Sequence, residues 1–132
     1  MSSSRENVIK GISVRENIAR IKSKSFALRI ISTFKKLHNE KKEFVLSKQL
    51  LRSGTSIGAN IAEAECAISK KDFQSKIYIA LKESAETKYW LELLCESQYI
   101  SKQDFEKLYA DCEEIRRILS STTKTMIEKY KK

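Results

Sequence analysis

Few side chains in this sequence have the chemistry that catalysis needs. His38 is the single histidine. The di-iron pattern of helical bundles requires Glu-x-x-His on two helices, but the residue three before His38 is Lys35 and no second histidine exists. A Cys–His nucleophile would need His38 to meet Cys66, Cys95 or Cys112, and nothing in the sequence brings them together. The three cysteines are an odd set with no C-x-x-C spacing, which argues against a disulfide framework or a zinc site. They read as free structural thiols, with Cys112 a small core residue on an apolar stripe. Glu83 with Glu86, or Glu63 with Glu65, has a spacing that could hold a cation, but carboxylates on helices are more often a solvated face. Neither a Walker A lysine motif nor a Rossmann glycine pattern is present. The expectation is a protein that is no enzyme, with no cofactor and no metal.

Charge is the second kind of chemistry. Lysine and arginine number 26 against 17 acidic groups, a net charge of +9. Residues 1–52 hold thirteen basic and four acidic groups, so the whole excess falls in the first part of the chain. Such asymmetry points to a polyanion. Arg15, Arg20, Lys22, Lys24, Lys35, Lys36, Lys41, Lys42, Lys48 and Arg52 lie in consecutive segments and are the candidate nucleic-acid-binding residues. They would hold RNA or DNA through phosphate contacts rather than base edges. No recognition-helix motif, RNP motif or zinc finger accompanies them, so little sequence specificity is expected. The alternative reading is a protein-interaction scaffold, or an accessory subunit, whose positive surface meets an acidic partner protein.

These groups must be positioned by helices. The 132 residues suffice for one domain with its own core, and a chain with no proline, three glycines and 33% charged residues lacks the turn chemistry of sheets. There is no signal-peptide pattern and no run of roughly 18 apolar residues, so a cytoplasmic protein without a membrane span is expected.

Four apolar stripes predict four helices. Phe26, Ala27, Ile30, Ile31, Phe34 and Leu37 make the first, which Val14, Ile18 and Ile21 could extend upstream. Ser13-Val14-Arg15-Glu16 has the form of a capping box, so residues 1–22 read as a basic arm, part helical or continuous with the helix, before a bundle over 23–130. Leu46, Leu50, Gly54, Ile57, Ile61, Ala64 and Ile68 make the second stripe, in a helix over about 44–68. Phe73, Ile77, Ala80, Ser84, Thr87, Leu91 and Leu94 make the third, and Phe105, Leu108, Cys112, Ile115, Leu119, Thr122 and Met126 the fourth. Ser69 and Ser101, each with an aspartate three residues on, supply the two N-caps. Short connections imply an all-α, antiparallel, up-down-up-down four-helix bundle.

That pairing sets Gly54 and Gly58 against Ala80, Ser84 and Ala85 as a small-residue layer between the second and third helices. Ser56, Asn60 and Ser84 would satisfy one another there, and Arg52 would pair with Glu86. A phosphate-cradling nest at the glycines would need a broken helix, and the stripe runs through. The third helix also carries Tyr78, Leu81, Tyr89, Trp90 and Leu93 at other angles, an apolar surplus expected to bury against another subunit.

The run Lys41–Ala64, centred on Leu50-Leu51-Arg52-Ser53-Gly54-Thr55-Ser56-Ile57-Gly58-Ala59-Asn60-Ile61-Ala62-Glu63-Ala64, resembles the signature of a bacterial family encoded by intervening sequences inside 23S ribosomal RNA genes. Ile79–Leu94 is similar to that family's third helix and Lys24-Ser25-Phe26-Ala27 to its opening, the likeness covering about residues 17–119. The resemblance implies a four-helix bundle assembling into a homopentameric ring or barrel. It also implies kinship with the accessory proteins of diversity-generating retroelements, which form basic pentamers that bind nucleic acid and a reverse transcriptase. Around such a ring the basic stripe would repeat five times. The signature positions Arg52, Ser56, Asn60, Glu63, Ser84 and Glu86 read as structural rather than catalytic.

Overall fold

The computed structural model describes the backbone of residues 3–130 and the side chains of residues 17–128. Four helices, α1 (Ser3–Asn39), α2 (Leu46–Ala64), α3 (Lys70–Glu96) and α4 (Lys102–Tyr130), account for the fold, with no strand among the described residues. The chain is an all-helical, four-helix protein. The backbone of α1 runs through residue 22 without interruption, so Ser13 starts no new helix.

The helix starts are set by side chains. Ser69 Oγ accepts the Asp72 amide at 3.0 Å, and the Asp72 carboxylate accepts the Ile68 amide at 3.2 Å. Ser101 Oγ accepts the Asp104 amide at 3.0 Å in the same way. At α2 the capping group is Glu43, which the sequence did not single out. Its carboxylate accepts the amides of Val45, Leu46 and Ser47 at 3.0, 2.8 and 2.6 Å. Burial alone would raise its pKa, but these amides outweigh that and hold the carboxyl below its ordinary value. The three glycines all lie inside helices, and the turns are instead made by Lys42 and Gln98 in the left-handed region (φ 54° and 68°). Ile68 falls beyond α2 and is 95% exposed, not part of the seam as expected.

The core forms from the predicted stripes of all four helices. Leu50, Ile57, Leu91, Leu94, Ile115 and Leu119 are almost wholly buried, each contributing about 1.5–3 kcal/mol by leaving water. Along α1 the predicted Phe26, Ile30 and Leu37 are buried, but the stripe does not extend upstream as expected. Ala19, Ser23, Phe26, Ile30 and Leu37 face inward, while Ile18 and Ile21, expected on the core face, are exposed. The reason lies in the glycines. A Cβ on Gly54 would stand 3.0 Å from Ile30 Cγ1 and Cγ2, and one on Gly58 would stand 3.2 Å from Ser23 Oγ. Gly54 and Gly58 therefore admit α1 and not α3, which corrects the expected small-residue layer. At Gly58 the α1 residue that makes the contact, Ser23, is itself small.

The polar signature residues also behave differently from expectation. Ser56 Oγ donates to the Arg52 carbonyl, Asn60 Nδ2 to the Ser56 carbonyl and Ser84 Oγ to the Leu81 carbonyl. Each serves its own helix, because a carbonyl three or four residues back lies nearer than any neighbouring helix. The hydroxyl that crosses to α3 is Ser53, which accepts from Thr87 Oγ1 at 3.0 Å, both residues being fully buried.

A charged network ties α3 to α4. Lys88 Nζ reaches Glu113 Oε2 at 2.6 Å, and Arg116 donates to Oε1 through Nε (2.8 Å) and Nη2 (2.6 Å). The Arg116 guanidinium, then the Lys88 ammonium, pull the Glu113 carboxyl down to about 2 against the opposing effect of burial.

Gly54→Ala is expected to destabilise the protein by about 1–3 kcal/mol despite the helix propensity it gains, because buried Ile30 has nowhere to go. Gly58→Ala is expected to be close to neutral, since a gain of about 1 kcal/mol in propensity offsets a lighter contact. Urea unfolding of both variants checks the contrast. Because the folded Glu113 carboxyl titrates below its ordinary value of 4.5, its stabilisation is complete above that pH and is lost as pH falls towards 2. Glu113→Gln should lower the urea midpoint at neutral pH and flatten its fall across that acid window.

Candidate nucleic-acid interface

The ten basic candidates divide by what their charges already meet. Arg20 Nη1 pairs with Glu65 at 2.5 Å and Lys22 Nζ with Glu114 at 2.5 Å. Arg52 pairs with Glu83 at 3.3 Å and, as expected, with Glu86. These three bind helix to helix, and so does Arg29, which the sequence did not single out and which pairs with Asp111 at 3.1 Å. Arg15 lies outside the residues whose side chains are described.

Lys24, Lys35, Lys36, Lys41, Lys42 and Lys48 are exposed, and none has an ion-pair partner among the described residues. Five of these six gather where α1 ends, the chain turns and α2 begins; Lys24 stands eleven residues before Lys35, nearly in line with it at 3.6 residues per turn. Lys102 and Lys107, at the start of α4, border the same groove as Lys36 and Lys41. Sequence reading missed both, because they lie in a segment with more acids than bases, and only the folded chain carries them to the basic end.

The remaining chemical groups are committed to structure. The His38 ring stands between Phe34 and Phe44, at centroid distances of 5.8 and 4.7 Å, and its Nδ1 is 3.3 Å from Asn39 Oδ1. Cys112 is buried, its thiol donating to the Ser84 carbonyl, and burial pushes its pKa up to about 12, the reverse of an activated nucleophile. Cys95 is half-buried and Cys66 exposed. Glu83 and Glu86 are taken by Arg52, Glu86 also accepts Trp90 Nε1 at 2.9 Å, and Glu63 faces Lys76 at 3.6 Å. No group of three His, Cys, Asp or Glu able to hold a metal ion occurs among the described residues. No described helix is long and apolar enough to cross a membrane. Gly54 and Gly58 lie in an unbroken helix with no positive φ, so there is no nest of amides at either.

The expected interface residues of α3 split into two groups. Tyr78 and Tyr89 are about half exposed (54% and 52%), whereas Leu81 and Trp90 pack against the core and Leu93 is half-buried. Exposed apolar surface also occurs on α1 at Ile18, Ile21 and Leu28.

Comparison with known proteins bears on this geometry. The profile of a family described as 23S rRNA-intervening sequence protein matches residues 12–121. A crystal structure from Bacteroides thetaiotaomicron VPI-5482, described as a protein with unknown function from the S23 ribosomal protein family, is 54% identical, with a TM-score of 0.82. The match covers 83% of this chain and 98% of that one. No curated protein matches. With its four helices, its glycine-bearing α2 and a match running over most of its length, the chain belongs to the 23S rRNA-intervening sequence protein family.

Proposed function

We propose that this protein is a non-enzymatic, cytoplasmic, oligomeric bundle that binds RNA or DNA through a basic surface, mainly by phosphate contacts. One observation carries the reading. Glu65 at the end of α2 and acids of α3 and α4 neutralise Arg20, Lys22, Arg29 and Arg52, while the lysines around the α1–α2 turn keep their charge free for an outside anion. A surface of unpaired ammonium groups attracts a polyanion and releases its counterions, which supplies affinity without sequence specificity.

The arrangement behind this is an antiparallel up-down-up-down bundle. Its support is the order of the contacts: Arg52 meets Glu86, Ser53 meets Thr87 and Glu63 meets Lys76, so residues later in α2 meet earlier ones in α3. Assembly into a homopentameric ring is part of the same proposal. Tyr78 and Tyr89 on α3 and the exposed Ile21 and Leu28 on α1 support it, being apolar groups that a second subunit would cover.

The test is binding of a labelled structured RNA and a matching DNA duplex across a salt series. Affinity should be micromolar or better at low salt, and log K should fall linearly with log salt, by about 0.9 per duplex phosphate contacted. Lys41→Glu with Lys42→Glu should weaken binding to every sequence alike and make the slope shallower. Weak binding with little salt dependence would refute the proposal and transfer the basic surface to an acidic protein partner.

A further inference from the structure

Between α1 and α4, at the basic end of the molecule, lies a groove of about 730 Å³. α1 approaches α2 closely at Gly54 and Gly58 and packs less fully on α4. Its volume falls within the range of small-molecule sites. Leu37 and Leu108, both buried core residues, border it with half-buried Tyr99 and Ile100. The turn presenting Tyr99 and Ile100 is held in place, since both their amides donate to the Leu94 carbonyl, at 2.8 and 3.3 Å. Lys36 and Lys41 contribute to one side and Lys102 and Lys107 to the other, with no ion pair to any of the four among the described residues. Arg29 also borders the groove but is held by Asp111. The carboxylates on the lining are Glu40 and Asp104, so the free charge there is positive.

We infer that this groove takes an unpaired nucleotide unit, the phosphate among the four lysines and the flat base against the apolar lining at Tyr99 and Leu108. The inference deepens the nucleic-acid reading above and rests on it. An apolar lining beside a basic border suits a ligand that is anionic at one end and flat and apolar at the other. A duplex keeps its bases stacked inside a rod of phosphates and would touch only the bordering lysines. A single strand, or a free nucleotide, can lay a base on an aromatic side chain while its phosphate meets the ammonium groups. The protein should therefore prefer single strands to duplexes of the same sequence and length.

The test uses the full chain with a short labelled single strand, the corresponding duplex, and a nucleoside monophosphate as competitor. Lys36→Glu with Lys107→Glu, one from each side of the groove, is compared with Lys71→Glu with Lys124→Glu, the same charge change near the start of α3 and the end of α4. The groove pair should lose about tenfold or more in single-strand affinity, and its salt slope should fall by about 1.4, two contacts' worth. The other pair should lose several-fold less. Lys36→Gln with Lys107→Gln, checked by circular dichroism, should give a smaller loss in the same direction from a folded protein. Displacement of the strand by the monophosphate would assign the groove to a free nucleotide, and failure to displace would assign it to the strand. Equal losses from the two Glu pairs, or a duplex bound as tightly as the strand, would overturn the groove and leave the basic surface standing. Absence of salt-dependent binding to any nucleic acid would overturn both.

Discussion

The rest of the structure depends on the fit of Ile30 over Gly54. A β-branched side chain of α1 lies 3.0 Å from where a Cβ at position 54 would stand, and one turn further along α2, Ser23 lies 3.2 Å from where one at position 58 would stand. Two glycines in a helix cost about 1 kcal/mol each relative to alanine, and the close approach of α1 offsets that cost. The approach fixes the rotation of α1. Once Ile30 and Ser23 face α2, Phe26 and Leu37 are carried into the core, while Ile18, Ile21 and Leu28 are turned to the outside.

The same rotation organises the charge. With α1 held against α2, Arg20 meets Glu65, while on the other side Lys22 and Arg29 reach Glu114 and Asp111 on α4. Half-exposed pairs of this kind contribute little stability each, about 0–1 kcal/mol, but they consume the acids along the flanks of α1. Among the described residues no ion pair holds the lysines at its C-terminal end, although Glu40 and Asp104 border the same groove. Glu43, the buried acid of that turn, is occupied by the amides that open α2. Among the described residues a cluster of unpaired lysines thus stands at one end because acids are used elsewhere, and Lys102 and Lys107 add to it from a segment that is acidic in sequence.

The stretch that resembles a polar loop in composition is a packing surface. Its serines, threonine and asparagine bond mostly to carbonyls of their own helix, leaving Ser53 as the hydroxyl that reaches across to Thr87. Small, self-satisfied polar residues allow a helix to be approached closely on two sides without leaving a polar atom unpaired, and no buried side-chain polar atom among the described residues lacks a partner.

By itself the sequence determined the four helices, their buried stripes as far back as Phe26, and two of their caps. The three-four spacing of Ile77 through Leu94 and of Leu108 through Thr122 has only one helical reading, and Ser69 and Ser101 announce their caps locally. The pairing of Arg52 with Glu86 was legible too, because short connections fix which turns of neighbouring helices meet. The inward face of α1 upstream of Phe26 was not legible. Ile18 and Ile21 offer an apolar face there, but Ala19 and Ser23 are the buried residues, and Ser23 lies over Gly58, 35 positions away. The cap from Glu43 was hidden for a similar reason, since a glutamate just before a helix has many uses and only burial singles out this one. Which basic residues stay free was likewise decided only in three dimensions. Sequence counts charges along the chain, but ion pairs form across it, and the partners of Arg20, Lys22 and Arg52 lie 31 or more residues away.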